Sequence, residues 1–189
     1  MNGLITQLPQ YIHDEVEKIW ERLHLLFGIN RVKSTTLPHL TWVIAQECDE
    51  TKVKDEIDRL RKRHFPFVIK TNGIGIFTGK RPAVYIQIKP TVELLKFQST
   101  LFEVFSKLSK KPKKHYIPHR WIPHISLAIE DVSDENIAKL IAYLLPITFK
   151  HDVRIESISL VRRKKGMDME VLERFFLAQK NDPDSMLRD

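Results

Sequence analysis

Two tetrapeptides in this chain carry the same chemistry, Pro38-His39-Leu40-Thr41 and Pro123-His124-Ile125-Ser126. Each reads proline, histidine, aliphatic, hydroxyl, and the two histidines lie 85 positions apart. Each runs into an apolar stretch, Trp42-Val43-Ile44-Ala45 and Leu127-Ala128-Ile129. Side chains alternate along a β-strand with a period of two. If each tetrapeptide opens a strand, His39 and Thr41 share one face, as do His124 and Ser126. Leu40, Trp42, Ile125 and Leu127 then turn the other way, into a core. A single His-x-Thr arises often by chance, whereas two copies in matching surroundings form a constellation.

Two imidazoles across a cleft suit general acid–base work. One takes a proton from an attacking group, and the other gives one to a leaving group. Free imidazole titrates at about 6.5, so both forms are available at neutral pH. Thr41 and Ser126 can donate hydrogen bonds to an anion held between the rings. The set fits displacement at a phosphodiester, most simply a cyclic one, and needs no cofactor. Paired histidines also bind metals. Here there is no cysteine cluster and no acidic residue beside either tetrapeptide, so no metal is expected. No G-x-S-x-G elbow supports a serine triad.

The net charge of +7 is concentrated in one place. Between Glu103 and Glu130 there is no acidic residue, while Lys107, Lys110, Lys111, Lys113, Lys114 and Arg120 supply six positive charges. This segment leads into the second tetrapeptide and favours a polyanion there. Basic and aromatic residues interleave in it, which suits single-stranded RNA. Lys113, Lys114, Tyr116, Arg120 and Trp121 are therefore candidate substrate contacts, with Tyr85 as a cleft wall. Phe77 is a second possible cleft wall, with the core its favoured place, and His115 and His119 are expected in a loop.

The elements that must hold these groups follow from periodicity and punctuation. Leu4 to Leu8 reads as a strand. Ile12, Val16, Ile19, Leu23 and Leu26 mark an amphipathic helix ending near Gly28. The first tetrapeptide opens a strand to about Gln46, and a helix capped by Asp49 or Thr51 follows. Phe65 to Lys70, Gly73 to Phe77 and Ala83 to Ile88 read as strands. A helix runs from Pro90 to about Ser109, and Lys110 to Arg120 is a basic loop. The second tetrapeptide opens a strand to about Ile129. A helix capped by Ser133 ends at Pro146. Ile147 to His151, Arg154 to Arg163 and Glu170 to Gln179 read as three more strands.

The order strand, helix, strand, strand thus occurs twice. It predicts an α+β fold of two similar lobes of antiparallel sheet, with helices outside, related by a pseudo-two-fold around a central cleft. Residues 1–180 are expected to form one bilobal domain, and residues 181–189 a flexible tail. One cysteine, Cys48, rules out an internal disulfide and suggests a reducing, cytoplasmic setting. No apolar run reaches membrane-spanning length, and no signal-peptide pattern opens the chain. A monomer is expected.

The paired Pro-His-aliphatic-hydroxyl motifs and their duplicated surroundings resemble the signatures of the 2H phosphoesterase superfamily, in particular its 2′-5′ RNA ligase and 2′,3′-cyclic phosphodiesterase-like proteins. The resemblance extends from about Leu4 to Gln179. It implies hydrolysis of 2′,3′-cyclic phosphates on RNA ends or nucleotides, sometimes with 2′-5′ ligation of RNA. It implies that His39 and His124 are the catalytic pair, and that Thr41 and Ser126 bind phosphate, Ser126 keeping the donor of the commoner threonine. Two other readings share the fold. One is an RNA-binding module with weak catalysis. The other is a phosphodiesterase for a 2′-5′ oligoadenylate or an ADP-ribose cyclic phosphate.

Overall fold

The computed structural model describes residues 1–179, and the expected tail at residues 181–189 lies outside them. Nine strands and four helices alternate along the described residues. They are β1 (Asn2–Gln7), α1 (Gln10–Phe27), β2 (His39–Cys48), α2 (Glu50–Arg61), β3 (Phe67–Phe77), β4 (Ala83–Ile88) and α3 (Val92–Lys107). After these come β5 (Ser109–Pro112), β6 (His124–Ala128), α4 (Ile137–Leu144), β7 (Asp152–Ile155), β8 (Ser157–Arg163) and β9 (Met169–Phe176). The strands form two antiparallel sheets, ordered β5-β2-β1-β8-β9 and β6-β4-β3-β7. The fold is α+β, and each sheet holds one of the two tetrapeptides.

The two copies interlock. The hairpin β3–β4 follows the first tetrapeptide in sequence but joins the sheet of the second. The hairpin β8–β9 follows the second tetrapeptide but joins the sheet of the first. Residues 152–163 make one of these crossings. The sequence suggests a single strand from Arg154 to Arg163, but the chain breaks between Ile155 and Ser157 and changes sheets. β7 pairs with β3, and β8 pairs with β1.

Three other segments differ from the periodicity reading, each for a local reason. Residues 67–77 form one strand and not two, because the chain between Thr71 and Ile74 shifts register, with Gly73 at φ 78°, and does not break. Residues 147–151 are not a strand. Their backbone is occupied by that irregularity instead: the Phe149 carbonyl accepts from the Thr71 hydroxyl and the Gly73 N–H, and the His151 carbonyl accepts from the Thr71 N–H. Ser109–Pro112 is an edge strand on β2, where a loop was expected. Its lysines and proline are the usual protection of a sheet edge.

Helix ends follow capping chemistry. Gly28, at φ 69°, closes α1. Asp49 caps α2 by accepting from the Lys52 N–H at 3.1 Å. Thr91, not Pro90, caps α3, accepting from the Leu94 N–H at 3.2 Å. α4 starts later than expected from Ser133, whose N–H is bound by the Asn136 side chain at 2.8 Å. Ile12, Val16, Ile19 and Leu23 bury their face of α1, whereas Leu26 is exposed. α1 packs against β6, while α2 and α3 cover the five-stranded sheet. Leu40, Trp42, Ile125 and Leu127 are all fully buried, as the alternation requires. No described helix is long and apolar enough to cross a membrane.

Gln98 ties α3 to both sides of the site. Its side chain is fully buried, and its Nε2 donates to the Trp42 carbonyl at 3.1 Å and the Tyr116 carbonyl at 2.8 Å. Gln98→Leu keeps the volume but leaves two buried carbonyls without that donor. It should lower unfolding free energy by about 3 kcal/mol, given roughly 1–3 for each unsatisfied group. Urea denaturation of the variant against the wild type measures this.

Candidate active site

A cleft of about 640 Å³ lies between the two sheets and brings both tetrapeptides together. His39 and Thr41 reach it from β2, and His124 and Ser126 from β6. The two histidines are half-buried and Thr41 is buried. The segment that leads into β2 is tied to the end of β6 by Asp131, just beyond β6. Its carboxylate accepts the N–H groups of Asn30 and Arg31, before β2, at 2.7 and 2.8 Å.

The histidines are held identically. His39 Nδ1 lies 2.7 Å from the Leu37 carbonyl, and His124 Nδ1 lies 2.7 Å from the Ile122 carbonyl, each two residues upstream. A carbonyl only accepts, so Nδ1 must carry the proton in both rings. Nε2 is then the acceptor of each neutral imidazole, and the acidic N–H of each imidazolium. Burial pushes both pKa values below the ordinary 6.5, and the carbonyls offset part of that. His39 is lowered further by the charge on His124, and His124 by the charge on His115.

Aromatic rings set the wall behind His124. Tyr85 stacks on Phe77 at 4.2 Å between centroids, and the Phe77 ring meets His124 edge-on at 5.0 Å. Tyr85 lies 5.2 Å from His124. Phe77 is thus a wall of the cleft and not a core residue. Tyr85 faces Gly75 across the β3–β4 pair, and its ring fills the space a side chain would need. A Cβ on Gly75 would lie 2.5 Å from Tyr85 Cζ.

Of the candidate substrate contacts, Lys113, Tyr116, Arg120 and Trp121 line the cleft. Lys114 is exposed and lies outside the lining. Tyr116 and Trp121 are only 8% and 6% exposed, so they form wall and offer little ring face to a base. Burial raises the Tyr116 hydroxyl to about 12, with the contact to Thr41 acting the other way. Three lining cations or imidazoles escape the sequence reading: His115, Arg81 and Arg163. Arg81 lies between β3 and β4 and Arg163 ends β8, and only the packing of the two sheets around one cleft gives them a common target. Glu130 also lines the cleft, but Arg31 neutralises it at 2.8 Å. The donor set therefore combines imidazoles, hydroxyls and cations, as an anion site needs and a metal site does not.

A sequence profile of the 2′-5′ RNA ligase superfamily matches residues 12–167. The chain belongs to this family of 2H phosphoesterases. It is 27% identical over 126 residues to an RNA 2′,3′-cyclic phosphodiesterase of Archaeoglobus fulgidus, covering 65% of this chain and 71% of the relative. Its fold is similar to that of TT0787 of Thermus thermophilus, with a TM-score of 0.64 at 21% identity, covering 93% of this chain and 97% of the other. Escherichia coli LigT, solved in complex with 3′-AMP, gives a TM-score of 0.58 at 17% identity, with 94% and 98% covered.

The Gly75–Tyr85 approach can be tested directly. Gly75→Ala forces the Tyr85 ring off Phe77 and away from its place beside His124. Overpacking of this kind costs about 1–3 kcal/mol. The variant should show that loss in urea denaturation and a changed near-ultraviolet circular dichroism signal from its tyrosines.

Proposed function

We propose that this protein opens 2′,3′-cyclic phosphates, on RNA ends or nucleotides, by paired-imidazole acid–base catalysis without a metal. The observation that carries this reading is the matched pair of Nδ1–carbonyl bonds. They leave two Nε2 atoms and two hydroxyls, from Thr41 and Ser126, on one cleft. The name of the archaeal relative supports the substrate class.

In the forward step one neutral Nε2 takes a proton from a water molecule as the water oxygen bonds to phosphorus. The other imidazole, protonated, gives its Nε2 proton to the ribose oxygen whose P–O bond breaks. The product is a phosphate monoester beside a free ribose hydroxyl, and the two rings have exchanged charge. Thr41 and Ser126 donate to the non-bridging oxygens, where negative charge grows. Lys113, Arg120, Arg81 and Arg163 draw the anion in. A 5′-hydroxyl in place of water makes a 2′-5′ linkage through the same transfers, so a ligase activity uses no additional group.

Turnover of an RNA ending in a 2′,3′-cyclic phosphate, with EDTA present, tests the proposal. His39→Ala and His124→Ala should each lose on the order of 10²–10⁴ in kcat. Full activity in either variant, or activity abolished by EDTA, would overturn it.

The pH profile gives an independent check. Catalysis needs one imidazolium, and both rings are held below 6.5 in the free protein. The alkaline limb of kcat/KM should therefore lie below 6.5, because raising the pH removes the acid. A bound phosphate favours the imidazolium, so the corresponding limb of kcat should lie at higher pH. A kcat/KM limb above 6.5 would contradict this.

A further inference from the structure

Both tetrapeptide strands carry a β-bulge at the same place. Leu4 and Ile5 of β1 face Val43 and Thr41, so Trp42 is the extra residue of β2. Val84 and Tyr85 of β4 face Ala128 and Ser126, so Leu127 is the extra residue of β6. In each copy the bulge directly follows the hydroxyl residue. A bulge disrupts the ladder locally and re-aims the neighbouring side chain.

At each bulge a buried indole takes the carbonyl of the hydroxyl residue. Trp121 Nε1 donates to the Thr41 carbonyl at 3.1 Å, and Trp20 Nε1 donates to the Ser126 carbonyl at 3.1 Å. The two rings are 6% and 4% exposed. An indole N–H can only donate, so each ring fixes one peptide in one direction. The bracing also crosses the molecule. Trp20 comes from α1 and holds β6, whereas Trp121 precedes β6 and holds β2. Trp121 additionally packs on Trp42, the bulged residue, at 5.6 Å. Trp20 is absent from the cleft lining, so its influence on chemistry must pass through Ser126.

We infer that Trp20 and Trp121 are positioning residues, which aim the Ser126 and Thr41 hydroxyls at the phosphate by fixing the peptides that carry them. This rests on the reading of the cleft as a phosphodiesterase site. The carbonyl and the hydroxyl branch from one Cα, so an indole bond that holds the carbonyl also restrains that Cα, and a backbone shift it would otherwise resist displaces Cβ and Oγ. A displacement of about 1 Å in such a group can cost on the order of 100-fold in rate.

The test is kinetic and uses the full chain with 2′,3′-cyclic AMP. Trp20→Phe and Trp121→Phe keep an aromatic ring but remove the N–H. Trp20→Phe should lower kcat about tenfold or more, with KM changed less than about twofold. Double mutants decide the route. In a Ser126→Ala background Trp20→Phe should have almost no further effect, whereas beside Thr41→Val it should keep its full effect. Trp121→Phe should show the reverse pattern. If either phenylalanine variant misfolds by thermal melting, β-(3-benzothienyl)alanine at that position keeps the ring shape and removes only the N–H. Unchanged kcat in the folded variants, or a full Trp20→Phe effect beside Ser126→Ala, would overturn the inference. Should the wild type turn over no cyclic phosphate, the phosphodiesterase reading fails by itself. The brace is then judged by hydrogen exchange of the two indole N–H groups in the wild type: slow exchange upholds it, and fast exchange overturns it.

Discussion

A neutral imidazole has one donor and one acceptor nitrogen, and here the donor of each tetrapeptide histidine is bound to its own chain two residues back. That local bond decides much of the rest. It fixes the tautomer and the tilt of the ring, and it presents Nε2 to the cleft. It also constrains the approach to each strand, since Leu37 and Ile122 must offer their carbonyls just before Pro38 and Pro123. A residue before proline is restricted to extended backbone. The proline in each tetrapeptide thus fits the geometry the histidine needs. The chemistry at Nε2 and the local backbone conformation have one origin.

The cleft works because its walls do different jobs. The apolar wall of Phe77 and Tyr85 withdraws water from His124 and keeps its charged form costly. The rim supplies cations, with Lys113 and Arg120 from the basic segment, Arg81 from the β3–β4 connection and Arg163 from the end of β8. An anion therefore meets positive potential first and neutral imidazoles second. Its own charge then favours protonation where an acid is required. This division lets an anion site of the kind we propose hold half-buried histidines.

Much of this was legible in the sequence because it rests on local rules. The alternation at Leu40, Trp42, Ile125 and Leu127 gave the buried faces, and the paired tetrapeptides gave the histidines and hydroxyls of the cleft. Helix ends at Gly28 and Asp49 followed from capping chemistry. What escaped depends on contacts far apart in the chain. The change of sheet between Ile155 and Ser157 has no local signature, because both flanking segments alternate like one strand. The edge strand Ser109–Pro112 is held by β2 and not by its own propensity. Phe77 reads as core in its own segment and becomes cleft wall only when β6 brings His124 beside it. Trp121 reads as a candidate substrate contact, and its burial beneath Thr41 comes from the packing of the two halves.

The exchange of hairpins has a consequence for how the molecule comes into being. β1 is complete within the first few residues, yet one of its two neighbours, β8, is more than 150 positions away, as the pairing of Ile5 with Ser159 shows. The second sheet likewise waits for β7 to flank β3. Pairings this distant raise contact order and slow folding. During synthesis the first tetrapeptide leaves the ribosome long before β8 and β9, which complete its sheet, can form. Neither half of the chain holds all the strands of one sheet. Both sheets that carry the paired histidines are therefore complete only once β7, β8 and β9 have been made.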